Sequence, residues 1–146
     1  MAKIKDVNEL QTKLRKLGPN LVKLYAKALY EEALLIEATS IENTPMHFGA
    51  LRASHEVSQP EVEGTPASGM SVSISITVGG PSAPYAAAVH EHLSDFSPYS
   101  WRIAEASGTG VKFQTGGPKF LENAVMARKN DLSQRIADRV SIEEAL

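Results

Sequence analysis

From Met70 to Val78 the chain alternates without a break: Met70, Val72, Ile74, Ile76 and Val78 are apolar, and Ser71, Ser73, Ser75 and Thr77 between them carry hydroxyls. Side chains of a strand point alternately to its two faces, so this run predicts a half-buried antiparallel strand. Such a strand has to be paired, and its apolar face has to be covered by the rest of the chain. Its serine face is an ordinary solvated surface or, on a sharper reading, a face or edge that lies against another subunit, where small side chains allow close approach.

The cover is expected from helices on either side. Val7, Leu10, Leu14 and Leu17 recur at spacings of three and four and form one apolar stripe. Asp6 as N-cap with Glu9 three residues on gives a box-like start. Gly18-Pro19 predicts the end of that first segment, because glycine accepts the left-handed C-terminal conformation and proline cannot continue the ladder. A second helix is expected from about Pro19 to Asn43, stopped by Thr44-Pro45. Leu21, Leu24, Tyr25, Ala28, Leu29, Ala33, Ile36 and Thr39 lie on one side, with Lys23, Lys27, Glu31 and Glu37 on the solvated side. About 24 residues would span roughly 36 Å, more than so small a domain needs for its own core. Part of this helix is therefore expected to pack on a neighbouring subunit.

Leu51, Ala53, His55 and Val57 alternate with Arg52, Ser54 and Glu56, which predicts a short strand. Ser58 to Gly69, with Pro60, Gly64 and Pro66, reads as a mobile connection. Gly79-Gly80-Pro81 through Pro84 turns the chain, and residues 85 to 91 suit either a short helix or a short strand. Residues 93 to 118 form a long irregular stretch, expected to be an assembly arm because a loop of that length inside a small domain usually docks on something. A last helix is expected from Pro118 or Lys119 to about Val140, with Leu121, Ala124, Val125, Arg128, Leu132, Ile136 and Val140 near one stripe. The fold class is thus α+β: long N-terminal helices and a C-terminal helix packed on a small, mainly antiparallel sheet, in one domain over residues 1–146.

A chain of 146 residues with 42% hydrophobic and 22% charged residues has the composition of a folding domain. Its formal net charge of -2 leaves no basic excess to drive nucleic-acid binding by counterion release. The absence of cysteine excludes disulfides, thiolate metal sites and a cysteine nucleophile. No stretch has the apolar length of a signal peptide or a bilayer span, so a cytoplasm is the expected place of synthesis.

His90-Glu91-His92 is the most enzyme-like triplet. On a strand, His90 and His92 would share a face and could ligate zinc with help from His47 or His55. The helical pattern of zinc hydrolases, with histidines four apart beside a glutamate, is missing. A small metal-dependent enzyme using His90, Glu91 and His92 is the alternative reading, and an adaptor or antitoxin-like module a third. There is no Gly-x-Ser-x-Gly elbow, and Gly79-Gly80 and Gly116-Gly117 lack the lysine and hydroxyl ending of a phosphate loop. Neither a catalytic residue nor a metal or cofactor is expected. Phe96, Tyr99, Trp101 and Phe113 gather with Arg102 in the long stretch. Aromatics and arginine dominate protein interfaces, and Asp95 and Glu105 offset the charge a nucleic-acid platform would need.

Four motifs run in order: Thr44-Pro45; Gly49-Ala50-Leu51-Arg52-Ala53-Ser54; Tyr85-Ala86 through Val89-His90-Glu91; and Lys119-Phe120-Leu121-Glu122-Asn123-Ala124. Over about residues 20 to 140 they resemble the head-tail joining, neck and tail-completion proteins of tailed bacteriophages. The resemblance implies a structural virion protein, not an enzyme, made in the bacterial cytoplasm and placed at the head-tail junction. It implies a homo-oligomeric ring, with six-fold symmetry favoured over twelve-fold. Its partners would be portal-side connector or stopper proteins and tail-terminator or tail-tube proteins, with DNA only passing through the lumen and no membrane. Beside the resemblance, Gly49 suits a positive-φ turn, and Leu51, Tyr85, Phe120 and Leu121 suit core anchors. Arg52, His90 and Glu91 are polar residues without an obvious core role, expected to form an ion-paired cluster if they meet. With His92, Phe96, Tyr99, Trp101, Arg102 and Phe113 they are the expected interface residues.

Overall fold

The computed structural model describes residues 7–45, 49–65, 68–92 and 117–140. In chain order the elements are helix α1 (Val7–Asn43), a helical turn α2 (Ala50–Ala53), strands β1 (His55–Val57), β2 (Glu61–Thr65), β3 (Gly69–Ser73) and β4 (Ile76–Val78), and helices α3 (Ala86–His92), α4 (Phe120–Lys129) and α5 (Leu132–Arg139). The fold is α+β, with two antiparallel strand pairs, β1 with β4 and β2 with β3.

The two expected N-terminal helices are one. α1 runs through Pro19, and Gly18 keeps a helical conformation, not the left-handed one a C-cap requires. Helical propensity on both sides carries the chain through, and Pro19 itself is exposed. Ala28, Glu32, Ile36, Ser40 and Thr44 are all buried at four-residue intervals. The buried face is therefore set as much by small and polar residues as by leucines.

Packing divides the chain into two compact units. The first is made by the described residues of Met1–Glu32, Gln59–Ile74 and Asp131–Leu146. Here the expected mobile connection is half of a hairpin. Glu61 pairs with Ser73, Val62 with Val72, Glu63 with Ser71 and Gly64 with Met70. Gly64 and Gly69 both take positive φ, and a Cβ at Gly64 would run into the Gly69 carbonyl. Thr65 and Ser68 lock the turn: the Ser68 Oγ accepts from the Thr65 amide at 3.1 Å and lies 2.8 Å from the Thr65 Oγ1. In the same unit Glu32 is wholly buried and grips α5, its two carboxylate oxygens accepting from Arg135 Nε at 3.0 Å and Arg139 Nη1 at 2.8 Å. A buried carboxylate needs such partners to stay charged.

The second unit comprises the described residues of Ala33–Ser58 and Ser75–Asn130. Its core is Leu51, Ala83, Ala86, Val89 and Phe120, with Val78 and Leu121 packed against it. The expected strand over 51–57 begins only at His55, because Gly49 at φ 83 launches the helical turn α2 and drops Leu51 inward. The run from Met70 to Val78 keeps its alternation of half-buried and exposed residues throughout, but it serves two pairings and breaks at Ile74-Ser75. The single expected C-terminal helix is two, interrupted at Asn130-Asp131, residues of low helix propensity. The choice left open for residues 85 to 91 falls to helix.

Candidate functional site

Five carbonyls at the end of α1 need donors, since a helix C-terminus leaves them unpaired and Pro45 has no amide to offer. Each finds one. The Thr44 hydroxyl donates to Ser40 O at 2.6 Å and the Thr44 amide to Ile41 O at 3.2 Å. Arg52 donates through Nη2 to Glu42 O at 3.4 Å and through Nε to Thr44 O at 2.9 Å. The Gly117 amide donates to Asn43 O at 3.1 Å. The Thr-Pro and Gly-x-Leu-Arg motifs thus meet: Arg52 ties the turn after Gly49 to the end of α1.

His55 follows from that arrangement. Its Nδ1 faces Arg52 O at 3.1 Å and Leu51 O at 3.3 Å, so Nδ1 carries the proton. Its Nε2 is left to accept from the Ser40 hydroxyl at 3.0 Å, with Thr44 Oγ1 at 3.3 Å. Burial holds the pKa of His55 below its ordinary value, against the opposing pull of the Arg52 and Leu51 carbonyls and Glu37. A serine donating to an oriented imidazole has the geometry of a nucleophile and its base. Ser40 is wholly buried, however, so here the pair serves to hold the end of α1 against His55.

Phe120 is 1% exposed and stands between two histidines. Its ring centroid lies 5.9 Å from that of His55 and 4.8 Å from that of His90, the latter edge-on at 87°. Edge-to-face pairs of this kind add to the burial of the ring. The last two motifs are joined by backbone as well, since the Lys119 amide donates to His90 O at 2.8 Å. Lys119 itself takes a left-handed φ of 57, which turns its side chain out at the start of α4.

Outside this core lies a small ionic chain. His90 Nδ1 donates to Glu91 Oε1 at 2.8 Å, the Lys119 ammonium pairs with Glu91 Oε2, and Glu122 lies 3.4 Å from the same ammonium. The Lys119 hydrogen bond, then that of His90, holds the Glu91 carboxyl below its ordinary pKa, and the Lys119 pKa is raised chiefly by Glu91. His90 Nε2 is buried with no hydrogen-bond partner among the described residues.

The sequence expectations divide accordingly. Gly49, Leu51, Phe120 and Leu121 stand where expected, Leu121 as a half-buried flank of the core. Tyr85 does not: it is 46% exposed, because α3 turns Ala86 and Val89 inward. An ion-paired cluster was expected if Arg52, His90 and Glu91 met; the described bonds of Arg52 go instead to the end of α1 and share no residue with those of His90 and Glu91. The cation that pairs with Glu91 is Lys119. His90 and His92 belong to a helix, where positions two apart are turned about 200° from each other, so the shared strand face is lost. Among the described residues no three His, Asp or Glu side chains are grouped to hold a metal ion. No helix among them is long and apolar enough to cross a membrane. Phe96, Tyr99, Trp101, Arg102 and Phe113 lie outside the described residues.

Set against protein-family models, curated proteins and solved structures, the chain matches none. Sequence reasoning missed Ser40 and the inward role of His55.

Proposed function

We propose that this chain is a structural subunit of a tailed-bacteriophage virion that closes into a ring, six-fold by preference, and joins the filled capsid to the tail. The observation that supports it most is convergence. The four separated motifs that carry the resemblance all contribute to one compact unit: Thr44 and Arg52 at the end of α1, Leu51 and Phe120 in the core, His90, Glu91 and Lys119 on its outer edge. Glu91 and Lys119 on that edge are accessible while the Ser40 hydroxyl beside His55 is buried, which favours a recognition surface over a reaction centre. Identical subunits meeting head to tail close into a ring when the rotation between them closes.

Glu91 offers the direct test. It is about half exposed, so Glu91→Ala should leave the unfolding transition where it is while lowering ring formation or incorporation into the neck. Native assembly by the Glu91→Ala chain would count against the role given to this edge.

A further inference from the structure

The β2–β3 hairpin presents two different faces. By its register Glu61, Glu63 and Thr65 share one face with Ser71 and Ser73, while Val62, Val72 and Met70 share the other. Every residue of the polar face is exposed. Neither glutamate has an ion pair among the described residues, and the hairpin has no third strand there. The two carboxylates stand two residues apart on one strand face, about 6.8 Å along it. The hydroxyls beside them, Ser71 and Ser73, are small enough to let a partner come close.

A complement exists on the same chain. Lys23 and Lys27 are exposed on α1, four residues apart and so about 6 Å along one side of the helix, and neither has an ion pair among the described residues. We propose that the polar hairpin face of one copy docks on α1 of the next, with Glu61 and Glu63 of one copy against Lys23 and Lys27 of its neighbour. The inference deepens the ring reading above and rests on it, since it assigns the two unlike patches that a head-to-tail contact needs. Symmetric pairing of two β2 strands is disfavoured, because it would set glutamates beside glutamates.

The test uses the full chain and two charge-reversed variants, Glu61→Lys/Glu63→Lys and Lys23→Glu/Lys27→Glu. Assembly is followed by light scattering, with and without the portal-side and tail-side proteins. All four positions are exposed, so the variants should keep the native circular-dichroism spectrum and thermal midpoint. The neutral pair Glu61→Gln/Glu63→Gln serves where a reversal disturbs folding.

Each reversed chain alone should need about ten-fold more protein, or higher still, to assemble, because like charges then face each other. An equal mixture of the two reversed chains should recover assembly, since each supplies the complement the other lacks. Native assembly should weaken with salt as the Debye length shrinks from about 10 Å at 0.1 M to about 3 Å at 1 M, and that dependence should fade in the neutral pair. If the native chain forms rings and the reversed chains form them equally well, this contact is wrong and the joining role stands. If only a separate basic protein restores order, the occupant is not a second copy and the contact is again wrong. If the native chain assembles under no condition, with or without partners, both readings fall.

Discussion

His55 couples the stability of its unit to pH. Burial lowers its pKa in the folded chain below the ordinary value near 6.5 that the unfolded chain keeps. The unfolded state therefore takes up the proton first as pH falls. The stabilisation from neutral His55 is complete above about pH 6.5 and is lost as the pH drops through the lower, folded value. Unfolding free energy measured between about pH 7 and pH 5 should fall more steeply for the native chain than for His55→Gln. Parallel slopes would mean that the Ser40 and carbonyl contacts do not hold the neutral form. Phe120 is a different kind of residue, since it is wholly enclosed and both histidine rings lean on it. Phe120→Ala should cost about 3–5 kcal/mol in a denaturant titration, and a loss under about 1 kcal/mol would show that the core can close over the gap.

At the scale of elements, α1 sets the largest departure from what the sequence suggests. Proline in a helix interior costs about 3 kcal/mol relative to alanine, while its stiffening of the unfolded chain returns roughly 0.4–1 kcal/mol. Pro19→Ala should thus raise unfolding stability by about 2 kcal/mol, and a fall would mean that the chain does turn at Gly18-Pro19. Local rules read this pair as a stop because they see only two residues, whereas the helix continues through helix-forming residues on both sides and is anchored further on by the Glu32 clasp to α5. The alternation of Met70 to Val78 was legible because a period of two needs no knowledge of partners. The change of partner at Ile74-Ser75 was not, since pairing is decided by distant residues. Gly49 and Phe120 were legible for the same reason as the alternation: one needs a special φ, the other an enclosed ring. Glu32, Ser40, Thr44 and His55 were not, because a polar residue declares itself buried only once its partners are in place. Nor was the pairing of Lys119 with Glu91, or of Arg52 with the end of α1, since no spacing encodes that geometry.

For the whole molecule, the proposed joining role makes assembly the property that matters. The net charge of -2 suits a lumen through which DNA passes without sticking. It also makes like subunits repel weakly, which the proposed pairing of the hairpin with α1 would offset. Ring closure would further bring copies of the Glu91 and Lys119 edge into a repeating array. The most direct test is mass photometry of the purified chain, alone and mixed with portal-side and tail-side proteins of the same virion. A closed ring, or a monomer that a partner converts into one, is the predicted result; a small species whose mass no partner changes would contradict the account.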